Sequence, residues 1–205
     1  MSLHDDVCAT LAAWEPPTRA QFELREGFYA LLDARDDATF RTCTPGHVTA
    51  STLLLDHSRE RALLTLHPRV GQWIQLGGHL EEQDESLVHA ALREAEEESG
   101  ITGLEIDPVP VHLSIHPIQC KNSPPTRHFD VRFVAYAPEG AVEVISDESL
   151  DLAWVPVGDV SARIEELVAF AVARSYPVRS GLYRDPVSAE RATPRPWGSR
   201  HDTHP

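Results

Sequence analysis

In "TRAQFELREGFYALLDARDD" the apolar positions Leu24, Phe28, Leu31 and Leu32 recur at the spacing of one helical face, and Asp36 and Asp37 break the pattern. The first 45 or so residues therefore read as helical. The period then changes. In "HVTASTLLLDHSRERALLTLHP" two β-prone apolar runs flank the polar "DHSRER", which predicts a hairpin. "WIQLGGH" reads as a short strand ending on a glycine pair. Residues 86–99 form the clearest helix, capped by Ser86 or by Asp84 upstream and stopped by Gly100. "LEIDPVPVHLSIHPI" and "RHFDVRFVAYAP" alternate as two longer strands, with the proline-containing loop "QCKNSPPT" between them. "AVEVI" and "LAWVPV" predict further strands, and "SARIEELVAFAVARSY" a closing helix. The order implies an α/β domain over 45–176, a mixed sheet with helices on its faces. It is preceded by an N-terminal helical extension (1–44) and followed by a proline-rich tail (177–205).

Composition narrows the function classes. A chain of 205 residues with 41% hydrophobic and 24% charged residues is long enough for one substantial core. Its formal net charge of -14 repels a phosphate polymer, so nucleic acid is not an expected partner, whereas a small anion remains acceptable where cations screen it. No apolar run approaches a membrane span, and "MSLHDDVCAT" is acidic rather than signal-like, so a cytoplasmic protein without a membrane partner is expected. Cys8, Cys43 and Cys120 are odd in number and show no paired spacing, which argues against disulfides and a cysteine-zinc site.

The chemistry concentrates in "GGHLEEQDESLVHAALREAEEESGI". On a helical wheel at about 100° per residue, Leu87, Val88, Ala91, Leu92 and Ala95 make an apolar face. Glu94, Glu97 and Glu98 share an edge of that face, while Glu96 points elsewhere. Glu94 and Glu98 are like charges at i and i+4, and glutamates beside Gly100 oppose the helix dipole. A sequence that accepts both penalties is expected to recruit an external cation. Oxygen-only donors favour magnesium, with manganese as the alternative.

"REAEEESGI" matches the core of the Nudix hydrolase signature, G-x5-E-x7-R-E-U-x-E-E-x-G-U, with Ala95 and Ile101 at its apolar positions. The chain departs from it by one inserted residue before the helix. Counting forward from Gly78 selects Asp84 as the upstream acid, and counting back from Arg93 selects Glu85. The resemblance covers about 24 residues of the 205 and implies a Nudix-type α/β/α sandwich. It further implies that Glu94, Glu97 and Glu98 bind Mg2+ (or Mn2+) together with the backbone carbonyl of Gly78. In such a protein Arg93 orients the glutamates, and the enzyme is a pyrophosphohydrolase. A metal-activated water then attacks a diphosphate linkage in a small-molecule nucleoside diphosphate derivative.

The general base is not fixed across the family. Glu148 in "ISDESLDLAWVP" is the loop candidate here, with Asp147 as the alternative. Arg69, Lys121, Arg127 and His128 are candidates for binding substrate, and His128, Asp130 and Arg132 alternate onto one side of a strand. His79 reads as a surface residue or as one that supports the site from behind. Pro117 falls where ADP-ribose hydrolases of the family carry a proline, although an ordinary strand break explains it equally. A catalytically inactive ligand sensor on the same fold is the main rival. A diphosphate isomerase of the isopentenyl type needs a catalytic cysteine and further histidine ligands, which Cys120 and the dispersed histidines do not supply. The N-terminal helices and the tail are expected to cover the cleft or to form a homodimer interface.

Overall fold

The computed structural model describes residues 1–68, 71–119, 125–145 and 150–175. Two helices lead, α1 (Leu3–Ala13) and α2 (Arg19–Ala34). Ser2 and Asp5 form a reciprocal cap at the start of α1, and the Thr18 side chain accepts from the Gln21 N–H at the start of α2. The expected hairpin follows as β1 (His47–Leu55) and β2 (Arg61–His67). Asp56 holds its turn, accepting from the backbone N–H groups of Glu60 and Arg61 and from the Ser58 hydroxyl. The next elements are β3 (Gln72–Ile74), β4 (Leu76–His79), α3 (Leu87–Ser99), β5 (Glu105–Ile106) and β6 (His112–Gln119). After them come β7 (Pro125–Tyr136), β8 (Leu152–Pro156) and α4 (Glu165–Ser175).

These strands form one eight-stranded mixed sheet. β1 is central, running parallel to β7 along its full length and antiparallel to β4. β7 is flanked on its other side by β6 and β5, and β2 by β3 and β8. Strand alternation sends Val48, Ala50 and Leu54 of β1 into a core shared with α1, α2 and α3, and Leu53 and Leu55 into a second core under α4. Burying Leu87 or Leu92 of α3 against that first core contributes about 1.5–3 kcal/mol each. The N-terminal helices belong to the same core. Val7, Leu11 and Phe28 pack in it, Gln21 exchanges two hydrogen bonds with the backbone of Leu113, and the Leu87 N–H donates to Asp6 at 2.7 Å.

Three strand expectations change. "WIQLGGH" divides into β3 and β4, and "LEIDPVPVHLSIHPI" into β5 and β6, because Pro108 and Pro110 supply no N–H to a ladder. "AVEVI" pairs with no strand among the described residues. Its Val144 N–H donates to the Ser99 carbonyl at the end of α3, and Val142, Val144 and Ile145 are exposed. Residues 177–205, read as a tail, lie outside the described residues. Among the described residues, no helix is long and apolar enough to cross a membrane.

Candidate active site

Register builds the site. In the β1–β7 ladder His47 opposes His128, Thr49 opposes Asp130 and Ser51 opposes Arg132. β4 sets His79 against Thr49 and Gly77 against Ser51, while β6 sets His116 against His128. Opposed residues share a face of the sheet, so strands far apart in sequence place one polar band together. That band lines much of a cleft of about 590 Å3, closed elsewhere by Glu94 and Glu98 of α3 and by Arg41, Ile74 and Arg163.

At the base of the band lies Asp130, only 1% exposed. It accepts from the Thr49 and Ser51 hydroxyls at 3.0 and 2.7 Å and from Arg132 Nε at 2.7 Å. Burial works against its charge, but Arg132 beside it and the donated hydrogen bonds hold its carboxyl below the ordinary value. The pair is thereby fixed as a rigid, charged floor.

The glutamate helix meets this floor through the glycine pair. Ser86 caps α3, its side chain accepting from the His89 N–H. Gly77 has φ +142 and sits so close to β1 that a Cβ there would fall 2.5 Å from the Ser51 Cα; only glycine permits both features. Its N–H donates to Glu98 Oε2 at 2.8 Å. Gly78 lies against Glu94, whose carboxylate oxygens would be 2.6 Å from a Cβ at that position. Glu94 and Glu98 are 9% and 6% exposed. These two carboxylates are thus held inside the cleft wall, where bulk water screens them poorly.

Arg93 organises the outer side of the helix. Its guanidinium donates bidentately to Asp84 (2.9 and 3.0 Å), to Glu94 Oε1 (3.1 Å), to Glu97 Oε2 (3.0 Å) and to the His79 carbonyl (3.0 Å). Asp84 is buried and Glu85 exposed, so Asp84 is the acid that engages Arg93. Glu97 has a side chain 61% exposed and lies outside the cleft lining. Glu96 instead accepts from the Gly103 N–H. The group Asp84, Glu94, Glu97 and Glu98 sets four carboxylates against one guanidinium of its own helix. An all-oxygen, strongly negative donor set of this kind fits a hard divalent cation.

Other candidates fall differently. His128 and Arg132 line the cleft. Arg127 does not: strand alternation turns it away from His128, and it is exposed, with its guanidinium toward the Pro45 carbonyl. Pro117 is likewise exposed on β6 and is not part of the lining. Arg69, Lys121, Asp147, Glu148 and Cys120 lie outside the described residues. Sequence reasoning did not find Arg41, Arg163, Gln75 or His116, which only long-range strand pairing and chain reversal bring to the cleft, nor His47, which lies behind it.

The histidines correct a sequence expectation, since in space they are not dispersed. The rings of His47, His79 and His128 lie 5.0–5.1 Å apart, and His116 is 5.6 Å from His128. His79, read as a surface or supporting residue, is part of the cleft wall. Burial pushes His128 down to about 3, with His79, His47 and His116 adding to the shift and Asp130 opposing it. Burial also lowers His47 and His116.

A mixed sheet flanked by helices, with a capped glutamate helix packed against a glycine pair at the mouth of a polar cleft, defines a Nudix-type fold. The chain belongs to the NUDIX domain family, whose model matches residues 45–175. Among solved structures it is similar to an Ap4A hydrolase of C. elegans in a binary complex. Identity is 20% over 62% of this chain and 96% of that one, with a TM-score of 0.48. It is also similar to the NUDIX domain of Shewanella oneidensis NrtR complexed with ADP ribose. There identity is 21% over 62% of this chain and 86% of that one, with a TM-score of 0.46. The Nudix hydrolase RenU from M. Smegmatis is 20% identical over 66% of this chain and 91% of that one, with a TM-score of 0.47. A comparison with curated proteins returned no match.

Proposed function

We propose that the protein is a magnesium-dependent pyrophosphohydrolase that cleaves a diphosphate linkage in a small nucleoside diphosphate derivative. The observation that carries this reading is the pair of buried carboxylates, Glu94 and Glu98, held against Gly78 and Gly77 inside a cleft that also presents arginines. Glu94 and Glu98, with the Gly78 backbone carbonyl and Glu97 at the rim, would hold the cation, for which manganese is the alternative. When bound, a divalent ion supplies charge neutralisation at the diphosphate and lowers the pKa of water.

The chain's own residues do the rest. Arg93 ties Asp84, Glu94 and Glu97 to one guanidinium and so fixes the helix carboxylates in orientation. Arg41 and Arg163 line the same cleft and offset the charge of an incoming phosphate in a chain of net charge -14, whereas Arg132 is paired with Asp130. His128, held neutral by burial, offers a polar edge to substrate without further positive charge. Glu148 remains our assignment for the general base.

The test is a panel of nucleoside diphosphate derivatives, including ADP-ribose and a dinucleoside tetraphosphate, with product analysis in the presence and absence of Mg2+. Magnesium-dependent phosphoanhydride cleavage of at least one member is expected. Tight ligand binding with no turnover, unchanged in Glu98→Gln, would instead establish a sensor. The histidine cluster gives the isomerase reading one observation in its favour, yet neither Cys8 nor Cys43 lines the cleft. Rearrangement of a diphosphate ester without release of phosphate would be its signature.

A further inference from the structure

We propose that His47, His79 and His128 form a second metal site, separate from the glutamate helix, that takes a borderline divalent cation such as zinc or cobalt(II) through three imidazoles. One ligand nitrogen from each ring already lies within 4.8 Å of the others. A tetrahedral zinc with Zn–N bonds of about 2.0–2.1 Å needs its ligand nitrogens roughly 3.4 Å apart. Small ring rotations, without strand movement, close that difference.

His47 provides the independent observation. It is 1% exposed, and its Nδ1 lies 3.3 Å from the Cys43 carbonyl. A carbonyl only accepts, so Nδ1 carries the hydrogen and Nε2 presents a lone pair. That Nε2 is buried without a hydrogen-bond partner. An unsatisfied buried polar atom costs about 1–3 kcal/mol. A ring whose far nitrogen is fixed by a backbone carbonyl while the near one is free is the usual arrangement of a metal-ligating histidine. Ring packing leaves the His47 Nε2 unexplained; a cation bound there satisfies it.

The donor chemistry separates this site from the carboxylates. Three neutral imidazoles suit zinc, cobalt, nickel or copper, whereas magnesium prefers oxygen. His79 and His128 line the cleft and His47 lies behind them, so a fourth coordination position faces the cleft. His79 immediately follows Gly78, the residue against which Glu94 packs, so the two cation sites are neighbours in one cleft. An anionic oxygen of a ligand in that cleft can reach the open position.

The experiment uses the untagged full chain, stripped with a chelator and titrated with Co2+ alone. We expect one equivalent to bind with the visible absorption bands of a low-coordinate nitrogen site. The bands persist in the Glu94→Gln/Glu98→Gln double variant and are lost in His79→Asn and in His128→Asn. Absence of such bands in the wild type, or bands abolished by the glutamate changes but kept in the histidine variants, overturns the proposal. Should the histidine variants misfold, X-ray absorption at the zinc edge of the zinc-loaded wild type decides. Three imidazoles support the site and fewer overturn it. These readouts are independent of turnover, so failure here and failure of the hydrolase reading are distinguishable.

Discussion

Arg93 is divided among Asp84, Glu94, Glu97 and the His79 carbonyl, which uses its planar fork in a way an ammonium cannot reproduce. Arg93→Lys is therefore expected to lower activity by about 10- to 100-fold, the usual cost of losing a group that orients metal ligands, and to lower the melting temperature as well, because the buried Asp84 carboxylate loses its bidentate partner. Steady-state kinetics at saturating Mg2+ beside a thermal melt checks both parts. His128 makes a different prediction, for the chelator-treated protein. Unfolded, it titrates near 6.5; folded, burial and the neighbouring rings hold it at about 3. Between those values the unfolded chain binds a proton that the folded chain does not. The contribution of His128 to stability should therefore be level above pH 6.5 and fall as the pH drops toward 3. Urea denaturation across that range should show a shallower decline in His128→Asn.

Among the elements, the β1–β4 contact is the least forgiving. Gly77→Ala sets a Cβ 2.5 Å from the Ser51 Cα and forces a residue with φ +142 into a conformation that L side chains avoid. A loss of about 1–3 kcal/mol is expected from the backbone strain alone, together with displacement of the backbone N–H that donates to Glu98. Chemical denaturation of the variant measures the first and its activity the second. The helix α3 was legible in sequence because its determinants are local: a serine cap, apolar residues at helical spacing and a terminal glycine. The wheel placed Glu94, Glu97 and Glu98 on one buried edge; Glu94 and Glu98 are 9% and 6% exposed, but the Glu97 side chain is 61% exposed, since it lies on the outer side of the helix with Arg93. "AVEVI" misled because alternation signals a strand only where a neighbouring edge is free to pair, and the backbone there bonds the end of α3 instead. Asp84 and Glu85 were inseparable by counting, since an insertion shifts the count; burial and contact with Arg93 separate them.

For the whole molecule, the N-terminal helices are integral to the fold around the site. Val7, Leu11 and Phe28 share a core with Leu87 and Ala91, and Asp6 accepts from the Leu87 N–H at the start of α3. A truncation removing residues 1–44 is expected to lose cooperative unfolding by circular dichroism, whereas an independent appendage would leave the transition intact. Long-range strand pairing explains what the sequence did not reveal of the site. The glutamate helix carries its chemistry in consecutive residues, but the polar band depends on pairings such as His47 with His128 and Ser51 with Arg132. No local pattern encodes those partners, so the histidine cluster emerged only from the sheet. Whether the protein is a magnesium-dependent hydrolase is measured most directly as phosphoanhydride cleavage by wild type and Glu98→Gln over a nucleoside diphosphate panel with Mg2+. Wild type should hydrolyse at least one substrate only with the metal, and loss of several kcal/mol of charge stabilisation should slow the variant by about 10²-fold or more. Equal rates for the two proteins, or hydrolysis indifferent to chelation, would contradict metal-dependent hydrolysis at Glu98.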